Sequence, residues 1–237
     1  MSFIKFAKEA TYIALAMALT GLGNFLLLPM VSKALGTEDY GRWVQISVTV
    51  MLLGQLVLLQ LQMALVRFLS SKSDREEIGA QFFTLFAYVT LVGFSVTAII
   101  IFVVHKAGDL GVHLEEGFID PLTAAAFLVP FTAYGALTTA YFMARGRFKI
   151  YASLNLLSSY GQLLLTLTLL TLGLRLLGVV AAAVMASVVV SSIAMVLIIT
   201  EIGVSRPHFR LIWPNLKFSL PLAPTALLTW VTDSSDR

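Results

Sequence analysis

Apolar residues fill this chain in long unbroken stretches, and short polar segments separate them. A bilayer core about 30 Å thick takes about 20 helical residues to cross. Six stretches meet that length: 11–31, 43–66, 79–104, 121–144, 151–174 and 176–200. A seventh opens near Phe218 and is still running at Arg237. The pattern predicts an all-α, polytopic membrane bundle of six transmembrane helices plus the start of a seventh. The third stretch is long enough to tilt or to emerge as a short helix. The fifth and sixth meet between Gly173 and Gly178 with Arg175 as the one charge, which calls for a tight hairpin.

No polar connection is long enough for a folded soluble domain, so the chain has no room for a nucleotide-binding or glycosyltransferase module. Residues 1–200 are expected to form a six-helix lobe, 201–217 a cytoplasmic inter-lobe loop, and 218–237 the start of helix 7. A membrane helix that finishes in TDSSDR has nothing to anchor it on the far side. The expectation is therefore a piece of a longer protein with a second lobe.

Composition agrees with the pattern. The chain is 58% hydrophobic and 12% charged, against about 25% charged in soluble domains. Its mean hydropathy is +0.89. So few charges could not cover a water-exposed surface, whereas lipid favours an apolar one. There is no cysteine and there are three histidines, which excludes disulfides and thiolate metal sites. His105 and His113 flank an acidic loop, but their spacing matches no metal-ligand motif. Nucleophile elbows, phosphate-binding glycine loops and HExxH are absent from the sequence. No enzyme activity, cofactor, metal or nucleic-acid partner is expected. The first apolar stretch reads as a retained helix, because hydrophobic spans continue after it.

Lysine and arginine set the orientation, since cytoplasmic loops carry an excess of them. One side holds Lys5 and Lys8, then Arg67, Lys72 and Arg75, then Arg145, Arg147 and Lys149, then Arg206, Arg210 and Lys217. The other side holds Lys33, Arg42, Lys106 and Arg175. Eleven against four, alternating loop by loop, predicts a cytoplasmic N-terminus and supports the helix count. The cluster Arg145, Arg147, Lys149 reads as this topology signal or as attraction for anionic lipid headgroups.

Polar groups inside the spans are the candidate functional positions, because leaving them in lipid is costly. At 100° per residue, Gln45, Thr49, Gln60 and Arg67 of the second span lie within about 60° of one another. Gln55 and Gln62 extend the arc to about 160°. This glutamine face serves either interhelical hydrogen bonding or the wall of a hydrated pathway. Ser47 falls opposite. In the first span Asn24 lies near the midplane with Thr20 and Gly23 on its side. In the fifth, Asn155, Ser159 and Gln162 form one stripe. The seventh places Thr225, Thr229, Thr232, Asp233 and Asp236 on one face, behind Pro221 and Pro224. These prolines mark either a broken helix at a substrate site or a helix start. The acids and Arg237 form either buried partners or a solvated end.

Two segments carry a resemblance. The first connection reads SKALGTEDYGRW, with Leu35, Gly36, Tyr40 and Gly41 in an LG-x-x-x-YG pattern. The last stretch reads FSLPLAPTALLTWVTDSSDR, with Pro221, Pro224, Trp230, Ser235, Asp236 and Arg237. With six helices in short hairpins, the chain resembles the N-terminal half of a bacterial polysaccharide-type or O-antigen flippase. These belong to the multidrug/oligosaccharidyl-lipid/polysaccharide exporter superfamily. The resemblance implies alternating access between two lobes in the bacterial inner membrane. The partner it implies is a polyprenyl-diphosphate-linked oligosaccharide, driven by H+ or Na+. Arg67 and Arg237 would then attract the diphosphate. Gln45, Gln55, Gln60, Gln62, Asn24, Asn155 and Gln162 would meet the sugar, and Asp233 or Asp236 would couple the ion. Two alternatives stay open: a multidrug extrusion antiporter and an inactive half-transporter. Spans 1 to 6 hold no midplane acid of the kind the antiporter would need.

Overall fold

A computed structural model of the chain describes residues 3–72, 74–109 and 115–225, together with 228, 230 and 232. Its elements are α1 (Phe3–Leu58), α2 (Leu61–Leu69), α3 (Arg75–His105), α4 (Glu116–Ala126), α5 (Leu128–Ala144), α6 (Phe148–Thr171), α7 (Arg175–Ile202) and α8 (Ile212–Ser219), with 3-10 turns at Phe209–Leu211 and Leu220–Leu222. Every regular element among the described residues is helical. The protein is a polytopic helix bundle.

Five stretches are long and apolar enough to cross a membrane: Thr11–Leu58, Arg75–His105, Gly117–Ala144, Phe148–Thr171 and Arg175–Ile202. The sequence predicts six, and the difference lies in α1. Its 48-residue stretch would span about 72 Å if straight, more than twice the bilayer core. Gly36 breaks it, with φ 74° and ψ 176°, a conformation that glycine adopts without steric cost. The predicted loop 32–42 is thus helical on both sides of a one-residue corner.

Neighbours show that the chain reverses there. On the first arm, Tyr12 meets Ser153 at 3.3 Å and Asn24 meets Ser159 at 3.0 Å, so this arm runs parallel to α6. On the second arm, Arg42 pairs with Glu115 and Gly54 abuts Thr132, so this arm runs parallel to α4 and α5. The end of α5 and the start of α6 both meet Glu201 at the end of α7. Hence α6 opposes α5 and α7, and the two arms of α1 oppose each other.

Charges collect at two ends of the bundle. At the Gly36 end Asp39 accepts from Arg42 at 3.1 Å and from Arg175 at 3.0 Å, and Arg42 reaches Glu115. At the other end Arg145 and Arg147 each lie 3.6 Å from Glu201. Connections that the charge count assigns to one side therefore do meet on one side.

The predicted second span, 43–66, is not one helix. It stops at Leu58 and resumes at Leu61, because Leu59 (φ 44°) and Gln60 (φ 61°) are left-handed. Side chains rarely adopt that region, at a cost of order 1–3 kcal/mol each. Buried Val57, Leu58, Leu61 and Leu65 hold the break in place.

The core lies where α2, α3 and α5 meet. Phe82, Tyr141 and Phe142 are fully buried, with Phe82 edge-on to Tyr141 at 5.3 Å and Phe86 stacked on Tyr134 at 4.7 Å. Large apolar side chains such as Phe25, Leu91 and Leu164 point outward, as a lipid environment allows. Pro130 lacks an N–H, so the carbonyl of Ala126 has no helical donor. The Thr97 hydroxyl from α3 supplies one at 2.9 Å. Thr97→Val keeps the shape and removes that donor. We expect it to cost about 1 kcal/mol, measurable as a lower melting temperature in detergent.

Two contacts place the start of the seventh stretch. The Arg67 guanidinium lies 4.4 Å over the Phe218 ring, and Trp230 Nε1 donates to the carbonyl of Val48 at 3.1 Å. Phe218 therefore lies by α2 and Trp230 by the second arm of α1.

Candidate functional site

A cavity of about 300 Å³ opens between the second arm of α1 and helices α5, α6 and α7. Its polar wall is Ser47, Gln55, Thr132, Gln162 and Ser187, and Trp43 closes one end among aliphatic residues. The polar groups come from four elements: Ser47 and Gln55 from the second arm of α1, Thr132 from α5, Gln162 from α6 and Ser187 from α7. Gly54 makes the close approach possible: a Cβ there would stand 2.9 Å from Thr132 Oγ1.

Among the described residues the lining carries no charged side chain. It offers amides and hydroxyls, which both donate and accept. The hydroxyls of Ser47, Thr132 and Ser187 bond carbonyls nearby, Trp43 at 2.8 Å, Val129 at 2.9 Å and Ala183 at 2.8 Å. The Gln55 Oε1 is buried and has no hydrogen-bond partner. A buried carbonyl oxygen left unpaired costs about 1–3 kcal/mol.

The predicted site residues divide. Gln55 and Gln162 come together in the cavity. Gln45 and Thr49 face a separate, mainly aliphatic groove with Ile99, Val103, Phe118 and Leu122. Gln60 and Gln62 lie at the helix break, where Gln62 Nε2 donates to Gln60 Oε1 at 2.9 Å. The single glutamine face expected over 43–66 is thus absent, because the left-handed pair at Leu59 and Gln60 breaks the phase. Asn24 accepts from the Ser159 hydroxyl, an interhelical bond. Asn155 donates to the Tyr151 carbonyl of its own helix at 2.8 Å. Arg67 is exposed at the end of α2, against Phe218. Asp233, Asp236 and Arg237 lie outside the described residues.

Ser47, Thr132, Ser187 and Trp43 escaped the sequence reading. Ser47, opposite Gln45 and Gln60 in the expected phase, lines the cavity with Gln55. Thr132 and Ser187 are ordinary helix hydroxyls in the sequence, and the Gly54 contact distinguishes Thr132.

Residues 6–237 match the family described as polysaccharide biosynthesis protein. The chain belongs to that family. No curated protein and no solved structure matches it. Membership of the polysaccharide biosynthesis family extends from the first arm of α1 to the end of the chain, so bundle and cavity both fall inside the match.

Proposed function

We propose that this protein is a transporter, not an enzyme. It moves lipid-linked oligosaccharide units across the bacterial inner membrane for surface polysaccharide synthesis, and its N-terminus is cytoplasmic. The observation that carries this reading is the uncharged amide and hydroxyl lining in a polysaccharide biosynthesis family member. Sugars present many hydroxyls and no charge, and such a wall matches them group for group. Gln55 and Gln162 hold the glycan, and the lipid tail stays in the bilayer. The diphosphate is met by cations outside the cavity, Arg67 among them, with Arg237 a second. Movement is by alternating access of this six-helix lobe against a second one. Coupling to H+ or Na+ through Asp233 or Asp236 belongs to the same proposal. A cation-extruding antiporter fits the site less well, because among the described residues nothing anionic lines the cavity.

The test is transport of the lipid-linked glycan in cells carrying Arg67→Ala or Gln55→Leu at matched membrane levels. Reduced surface glycan in both supports the site. Full activity in Arg67→Ala removes the arginine from it, and full activity in Gln55→Leu removes the cavity.

A further inference from the structure

The segment after α7 folds back onto α3 instead of hanging free. The Thr84 hydroxyl accepts from the His208 N–H at 2.8 Å. The Gln81 amide donates to Asn215 Oδ1 at 2.8 Å, and Asn215 donates to the Leu211 carbonyl at 2.6 Å. Gln81, Thr84 and Asn215 are all buried. Buried, mutually satisfied polar groups hold a segment in one place, so residues 203–219 are a fixed part of this lobe.

What this fixed segment presents outward is unusual for a polar connection. Phe209 is 62% and Trp213 69% exposed, and Arg206 and Arg210 are exposed beside them. Among the described residues neither arginine meets an acid within ion-pair distance. Glu201 is already shared by Arg145 and Arg147, and Glu77, near the start of α3, lies 3.6 Å from Lys72. Directly alongside, Phe209 and Ile212 join Phe86, Tyr88, Leu91 and Phe94 of α3 in an open apolar groove of about 770 Å³. From Phe86 to Phe94 the groove follows α3 for about 12 Å toward the other end of the bundle.

We infer that this groove and the two arginines form a binding site for an anionic phospholipid of the leaflet at the Glu201 end. One acyl chain lies against α3, and the phosphate accepts from Arg206 and Arg210. Arginine forks match phosphate oxygens. Exposed aromatics beside them suit the headgroup level, where tryptophan concentrates. The occupant is a bulk phospholipid and not the polyprenyl carrier. The groove shares no lining residue with the glycan cavity, which is built from α1, α5, α6 and α7. Among the described residues of the seventh stretch, Trp230 lies against α1. The inference holds whether or not the chain moves a glycan.

Trp213 reports the site directly. The protein carries three tryptophans, so Trp43→Phe and Trp230→Phe leave Trp213 as the single fluorophore. It is reconstituted in mixed vesicles, with brominated phosphatidylglycerol or brominated phosphatidylcholine as quencher. We expect about tenfold stronger relative binding of the anionic lipid at Trp213. Arg206→Ala with Arg210→Ala brings the ratio to about one, and lysine at both positions retains most of it. Arg147→Ala, which removes a cation already paired, leaves it unchanged. A ratio near one in the parent, or a preference that survives the double alanine change, overturns the site. Displacement of the brominated phospholipid by a small fraction of polyprenyl phosphate also overturns it, because the groove then belongs to the carrier.

Discussion

Leucine at both Gln55 and Gln162 lowers glycan transport about tenfold to a hundredfold, and the protein melts no lower than the parent. Each amide contributes about 0.5–1.5 kcal/mol through a hydrogen bond to the ligand, and about 1.4 kcal/mol corresponds to a factor of ten. Stability moves the other way because Gln55 Oε1 is buried without a partner. Removing an unsatisfied polar atom is neutral or favourable. A merely structural glutamine would lower stability, with transport following it down. Transport at equal membrane abundance and melting in detergent together separate the two.

Leucine at Gly93 unfolds the α3–α5 contact. A Cβ there would lie 3.0 Å from Pro130 Cβ and 3.2 Å from Pro130 Cα. One of those atoms is backbone, in a helix already deprived of a hydrogen bond at Ala126 and relying on Thr97. Neither side yields without moving a helix axis. Overpacking costs about 1–3 kcal/mol and sometimes more, so the melting temperature should fall by about 4–10 °C. Gly93→Ala adds only the Cβ and should lose less. If Gly93→Leu melts like the parent, the close approach of α3 to α5 is wrong.

The helical spans and the grouping of their connections at two ends were legible in the sequence because both depend on sums over many residues. Twenty apolar residues declare a span whatever their neighbours do. The alternation of Lys and Arg correctly groups Asp39, Arg42, Glu115 and Arg175 at one end and Arg145, Arg147 and Glu201 at the other. What escaped depends on single dihedrals. Neither Leu59 nor Gln60 is a residue type that signals a helix break, and tertiary packing imposes the break on them. Once it exists, any phase relation carried from Gln45 to Gln60 or Arg67 has no meaning. Gln55 precedes the break and Gln162 lies on an uninterrupted helix, so these two remained readable as cavity residues. Asn24 shows the other limit, since a midplane asparagine looks the same in sequence whether it faces a ligand or Ser159.

The central claim is that the protein moves lipid-linked oligosaccharide to the far face of the membrane. It is tested by deleting the gene and asking where the lipid-linked glycan resides, using a glycosidase that reaches only the outer face of the inner membrane. Our reading predicts that the glycan accumulates and becomes protected from the enzyme. Restoring the parent gene restores cleavage, and the Gln55→Leu, Gln162→Leu gene does not. Glycan that stays fully cleavable in the deletion strain, with normal surface polysaccharide, would contradict it.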